Sequence, residues 1–275
     1  MSVIRGHRGG SIAGNASVKP LTVLVPFSRE PFFEQLLNAF SASDLVEEVV
    51  VPAPGPVKLP QGRCGSLTAP DFFSSRALRL ILHRCRTPFL LFLSPQTRGI
   101  GLMENTLGRF CRIAGNTAAG VVYSDFYDLE GPGETLHPLN DYQPGSVRDD
   151  FDFGPLMLFS VDAIREALRK HGDLPEVEFA GLYDLRLKVS IDHTIHHIAQ
   201  PLYAAKVCDE PAGAPKIFSY VDGRNEARQK EMERVFTEYL KGIGAYLPPN
   251  LFRAVERVPC PFPVEASVVI PVRNR

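Results

Sequence analysis

The sequence predicts an α/β domain built on a mostly parallel sheet, and three observations predict it. Short apolar runs of the kind buried on both faces recur along the first half. They are Thr22 to Val25, "EEVVVP" from Glu47 to Pro52, "PFLLFLSP" from Pro88 to Pro95 and "GVVYSD" from Gly120 to Asp125. Segments with helical apolar spacing lie between them, and strand–helix alternation implies a parallel sheet covered by helices. Finally, 44% of the 275 residues are apolar, enough for a sizeable core.

The first strand ends at Pro26. Ser28 is placed to cap the helix that follows, and Pro31 is tolerable in a first turn. Phe33, Leu36, Leu37 and Phe40 then fall at i, i+3, i+4 and i+7, one apolar stripe. "APGP", Ala53 to Pro56, breaks the second strand. Asp71 opens a second helix with Leu78, Ile81, Leu82 and Cys85 on one face. After the fourth strand the texture is less regular. "FGPLMLFS", Phe153 to Ser160, reads as a strand, and Ile164, Ala167 and Leu168 line the helix after it. "YDLRLKVS" and "IDHTIHHIAQPLY" follow, and "CDEPAGAPK" beyond Val207 marks a domain edge. A charged helix runs from about Gly223 to Ile243, with Met232, Val235, Phe236, Tyr239 and Ile243 in phase. "LPPNLFRAVERVPCPFPVEA" is then a Pro-broken linker, and another buried strand begins at Ser267.

The totals remove several function classes. A formal net charge of −1 gives no basic surplus for nucleic acid or anionic lipid. No apolar run approaches the length of a bilayer span. The first residues lack an apolar signal core and read as a flexible leader. Five scattered cysteines, Cys64, Cys85, Cys111, Cys208 and Cys260, form no C-x-x-C pair, so a reducing cytoplasm is the expected setting. There is no G-x-x-x-x-G-K-[ST], G-x-G-x-x-G or G-x-S-x-G, which removes the P-loop, the dinucleotide fingerprint and the nucleophile elbow.

One repeat stands out. Thr22-Val23-Leu24-Val25-Pro26 returns as Ser267-Val268-Val269-Ile270-Pro271. Coincidence is one reading, because Val-rich strands closed by Pro are common. The other is a duplicated domain. On that reading residues 1–17 are the leader, 18–210 one whole domain, 211–263 a Pro-rich and helical linker, and 264–275 the first strand of a truncated second copy.

Several of these segments carry a resemblance. "VVIPVRNR" resembles the opening of family-2 glycosyltransferase domains. "EEVVV" sits where that family has its second strand, and "FFSSRALRLILHRCRTPFLLFLSP" resembles the helix and strand leading to its metal site. "GVVYSDFYDLEG" is similar to a tyrosine–acid segment of members that build O-antigen-type polysaccharides. "AGLYDLRLKV" with "IHHIAQPLYAAKV" resembles their closing motif. The resemblance spans about Val18 to Val207. It implies a three-layer GT-A domain followed by a helical linker, within a two-domain sugar transferase of surface polysaccharide. It further implies a nucleotide-sugar donor, a glycan acceptor and a cytoplasmic location, peripheral to the inner membrane.

The resemblance also implies three acidic positions, and this chain departs from each. The carboxylate that holds the donor base is replaced by Pro52-Ala53-Pro54-Gly55. The D-x-D pair that binds the divalent cation is replaced by Ser94-Pro95-Gln96, which brings no negative charge for a hard ion. The general base is replaced by Leu182, preceded by Gly181, and neither takes a proton. The expectation is a domain that folds as a glycosyltransferase but is degenerate in metal and base positions. It would serve either as a weak transferase or as a non-catalytic glycan-binding or bracing module for an active second domain.

The candidate donor pocket is then Pro26, Phe27, Ser28, Arg29, Pro52, Ser94 and Gln96. No metal ligand is assigned, and Mg²⁺ or Mn²⁺ enters only for a divergent enzyme. Such an enzyme would draw on Asp125, Asp128 or Asp184. Asp125 and Asp128 close a strand, where ligands of open α/β sheets bind, although Asp also favours strand-end turns for its own hydrogen bonds. Asp184 matches an acid that supports the family's base, or caps a helix. Arg29 and Arg273 read as phosphate or partner contacts, or as plain surface arginines. Asp149, Asp150 and Asp152 read as a solvated loop. His193, His196 and His197, if on one strand, alternate faces and cannot converge on one ion.

Overall fold

A computed structural model of the chain describes residues 19–69, 73–129, 133–208 and 226–253. Eleven strands and six helices are ordered β1 (Leu21–Leu24), α1 (Phe32–Ser41), β2 (Val46–Ala53), β3 (Cys64–Thr68), α2 (Ser75–Arg84), β4 (Phe89–Leu93), β5 (Thr97–Leu102), α3 (Thr106–Thr117), β6 (Val121–Ser124), β7 (Phe126–Asp128), β8 (Thr135–His137), β9 (Leu156–Ser160), α4 (Val161–His171), α5 (Gly181–Asp192), β10 (Ile195–Ile198), β11 (Tyr203–Val207) and α6 (Glu226–Gly242). The main sheet has seven strands in the order β10-β6-β9-β4-β1-β2-β3. Its pairs are parallel except at β9, which runs antiparallel to both β4 and β6. A second sheet, β5-β11-β7-β8, lies beside it.

Alternation along the strands makes the three layers. Leu21, Val23, Leu91 and Leu93 join Phe33, Leu36, Leu37 and Phe40 of α1 and Phe110 of α3 on one face. Leu24, Leu90 and Phe92 join Leu78 and Ile81 of α2, Ile164 and Ala167 of α4, and Leu185 and Val189 of α5 on the other. A strand whose neighbours in sequence point to opposite layers must be apolar throughout, hence the unbroken runs in the sequence.

Helix starts differ from expectation in instructive ways. Ser28 is not the α1 cap. That helix starts from Pro31, and the Ser28 hydroxyl instead accepts the Glu30 N–H at 3.1 Å. Helix α2 is capped by Ser74, which accepts the Ala77 N–H. Asp71, the expected start, lies outside the described residues. His193 is not on a strand at all: it caps the C-terminus of α5, while His196 and His197 sit on β10.

Helix α5 shows almost no apolar stripe because it is surrounded. Tyr183, Asp184, Leu185, Arg186, Leu187 and Val189 are all buried. Helix α4 covers one side of it and α6 another. Val235 with Met232, Phe236 and Tyr239 of α6 packs on Val177, Ala180, Tyr183 and Leu187. Glu231 fastens the joint, its carboxylate accepting the backbone N–H groups of Glu178 at 3.0 Å, Phe179 at 2.8 Å and Ala180 at 3.3 Å. The segment expected as a linker therefore docks on the domain. Ile243, in phase by sequence, falls just beyond α6 and is exposed. The repeat strand from Ser267 lies outside the described residues. Among the described residues no helix is long and apolar enough to cross a membrane.

Candidate functional site

A cleft of about 660 Å³ opens beyond the end of β4. Ser94, Pro95 and Gln96 form part of its floor, with Phe92 beneath. The stretch is held by the backbone, Ser94 N–H donating to Pro155 and Thr97 N–H to Ser94. Asp128 enters from β7 and His137 from β8. The loop before β9 contributes Asp149, Asp150, Phe151, Asp152 and Phe153. It turns into β9 through Gly154 at φ 69°, where a Cβ would stand 2.8 Å from the Tyr203 hydroxyl, so only glycine fits. Helix α5 supplies Leu182, Tyr183 and Arg186, and α6 closes the wall with Arg228 and Met232.

Gly181 explains how α5 reaches this wall. A Cβ there would lie 2.5 Å from the Phe73 carbonyl, so the glycine lets the helix start against the segment preceding α2. Leu182, at the position where the resemblance places a base, thus faces the cleft with an apolar side chain.

Two charged constellations occupy the cleft. In the first, His137 bridges two carboxylates, Nδ1 to Asp128 at 2.7 Å and Nε2 to Asp152 at 3.3 Å. Its ring stacks on Phe126 at 4.4 Å, which stacks on Tyr203. Burial pulls the imidazole pKa down, but the hydrogen bond and charge of Asp128, aided by Asp152, outweigh it, and the net shift is upward. In the second, Arg186 is 4% exposed. Its guanidinium donates to the carbonyls of Ser146 at 3.2 Å and Arg148 at 2.8 Å and lies over the rings of Tyr142, Phe153 and Tyr183. Burial lowers its pKa, yet leaves it a cation at neutral pH.

The remaining sequence candidates scatter. Phe27 and Arg29 line a second, smaller hollow of about 440 Å³ with Ala53 to Val57, beyond β1 and β2. Ser94 and Gln96 line the main cleft instead, and Pro26, Ser28 and Pro52 line neither. Asp128 is in the cleft. Asp125 is not: it is buried, and it accepts the Leu139 N–H and faces His197 Nε2, both at 2.8 Å. Asp184 lies outside the cleft, paired with Lys188 at 2.7 Å. Burial pushes its carboxyl pKa up against that partner. Asp149, Asp150 and Asp152 are exposed, as a solvated loop should be, but they also rim the cleft.

Sequence reasoning missed His137, Arg186 and Arg228. The interleaving of Asp and Phe in "VRDDFDF" was the available signal for a binding rim. Nothing local marks Arg186, which is the sixth letter of a helix that carries no stripe. The Ser94–Gln96 stretch does not fit the divalent ion that the fold implies, because it offers hydroxyl and amide where the ion wants carboxylate. Among the described residues no three His, Cys, Asp or Glu side chains gather to hold a metal.

No family model matches the sequence, and no curated protein matches it. Solved structures do. The chain is similar to S. aureus TarS 1–349 in complex with UDP-GlcNAc at 13% identity and a TM-score of 0.50, over 82% of this chain and 73% of that one. The fold is GT-A-like. TarS 1–349 crystallised without that ligand matches at 14% identity over 82% and 72% of the two chains, with a TM-score of 0.48. Against a longer TarS structure the chain covers 84% of itself and 44% of TarS, at 15% identity and a TM-score of 0.48. At these identities the likeness is one of fold. The GT-A-like architecture expected from the motifs is the one present.

Proposed function

We propose that this is a glycosyltransferase-like domain of a surface-polysaccharide sugar transferase that binds glycan in its cleft without running donor chemistry. One observation carries the reading. Ser94-Pro95-Gln96 and Leu182, the places for metal and base, share one cleft, and none of them brings a negative charge or a usable proton acceptor. What the cleft offers instead suits sugar. Phe151 and the half-exposed Phe179 line it with aromatic rings, and the Asp rim offers acceptors for hydroxyl hydrogens. In this reading an active second domain in the same protein handles the nucleotide-sugar, and the protein works from the cytoplasmic side of the membrane. TarS was crystallised with UDP-GlcNAc, which makes that donor the natural first probe.

A second reading rests on Asp128. It is an acid inside the cleft, oriented by His137, and a divergent transferase could use it as general base. Titration calorimetry with UDP- and dTDP-sugars, with and without Mn²⁺ or Mg²⁺, and with neutral oligosaccharides separates the two. Heat with oligosaccharide alone is the expected result. Metal-dependent donor binding that disappears in Asp128→Ala would replace the first reading with the second.

A further inference from the structure

The charged groups that line the cleft are not paired alike. Asp128 and Asp152 share His137, and Asp150 is held by Arg148 at 2.7 and 2.8 Å. Each of these acids has a partner for its charge and keeps free lone pairs for hydroxyl donors. Arg186 and Arg228 line the same cleft, and neither has a carboxylate within ion-pair distance among the described residues. For Arg228, exposed on α6, that is ordinary. For Arg186 it is not. A buried guanidinium loses several kcal/mol of hydration and normally recovers it from a paired anion. Its two carbonyl contacts and three ring faces are partial compensation, since a guanidinium has more N–H donors than two carbonyls take. Asp149 acts on it only at longer range.

Arg228 is not there by accident of a loose helix. The Glu231 carboxylate pins α6 through three backbone N–H groups, and Arg234 donates to the Glu176 carbonyl at 2.7 Å. Positions 228 and 232 are one helical turn apart, so the docked face presents both to the cleft. Tyr183 and Leu182 of α5 line the same wall.

We propose that Arg186 and Arg228 form an anion subsite at the α5–α6 end of the cleft, which seats a carboxylate or phosphate carried by the glycan. The ligand would then be an acidic saccharide, its charged group on the arginines and its hydroxyls toward Asp128 and Asp152. This rests on the glycan-binding reading above and adds the charge of the ligand and the residues that select it. It also gives α6 a part in recognition, although that helix follows the sheet domain in sequence.

The test is calorimetry on the whole chain in EDTA, so that no divalent ion bridges acid to acid. The probes are oligogalacturonate, a glycerol-phosphate oligomer, and a neutral malto-oligosaccharide of equal length. One acidic probe should bind at least tenfold tighter than the neutral one, and which of them does so tells carboxylate from phosphate. Arg228→Gln should weaken that probe fivefold or more and flatten its salt dependence, a loss well beyond any change with the neutral probe. Arg228 is exposed, so this variant keeps the fold even where Arg186→Lys does not. Equal affinity for acidic and neutral probes, or an Arg228→Gln protein that binds the acid as before, overturns the subsite and leaves the glycan reading intact. No binding of any saccharide, with UDP-GlcNAc bound once Mn²⁺ is restored, overturns both.

Discussion

Two histidines in this molecule hold the same three-part arrangement and serve different ends. His197 lies between Asp125 at 2.8 Å and Asp141 at 2.7 Å, stacked on Tyr123 at 4.8 Å. His137 lies between Asp128 and Asp152, stacked on Phe126 at 4.4 Å. The His197 side chain is 5% exposed and that of His137 is 36% exposed. The inner bridge is a fastening. Asp125 also takes the Leu139 N–H, and the neighbouring Tyr123 hydroxyl donates to Asn140 and accepts from Tyr142. Together they pin residues 139 to 142 against β6 and β10. The outer bridge has one side open to the cleft. The same groups become structure or surface according to what encloses them.

Substitutions should separate the two bridges clearly. Asp125→Ala strands the Leu139 N–H and a buried imidazole, and should lower stability by about 3 kcal/mol in urea denaturation. A loss below about 1 kcal/mol would mean that Asp125 is not a fastening and restore it as a cleft candidate. Tyr123→Phe leaves the Asn140 carbonyl and Tyr142 N–H unpaired and should cost about 1–2 kcal/mol by the same measurement. Removing the helix joint with Glu231→Ala should cost about 1 kcal/mol, the scale of a lost N-cap. Amide exchange should then quicken at residues 178–180 and leave β6 and β10 unaffected.

The smallest effect belongs to His137 and depends on pH. Its pKa in the folded chain is raised above the ordinary 6.5 by its acidic neighbours. Charging it therefore favours the fold. That contribution is fully present below pH 6.5 and is lost as pH rises through the raised value. Wild type should exceed His137→Asn in Tm at pH 5.5, and the gap should narrow by pH 8.5. A gap constant across this range would show that the outer bridge carries no charge-dependent stability.

How much of this could be read from the letters depends on locality. The strands Thr22–Val25, Glu47–Pro52 and Phe89–Leu93 announce themselves because burial on both faces demands consecutive apolar residues. β3 and β5 do not: "CGSLT" and "TRGIGL" are half-exposed and carry Gly, so neither run nor alternation survives. The order of motifs was enough for the fold. It was not enough for the cleft, because Asp128, Asp152, Arg186 and Arg228 come from four separate elements and only chain folding assembles them. Asp125 and Asp128 looked equivalent as neighbours on a strand end. Their roles part where the chain passes from β6 into the second sheet, which sends one carboxylate inward and the other to the groove.

The docked α6 bears on how this chain should be handled at the bench. Expression limits chosen at the Pro- and Gly-rich stretch after Val207 would amputate Arg228, Met232 and Glu231 together. Such a product would bare Ala180, Val177 and Leu187 to water and leave three amides at the head of α5 without their acceptor. It would be a stickier protein with a wider mouth, and a ligand screen run on it would miss any ligand that needs that wall.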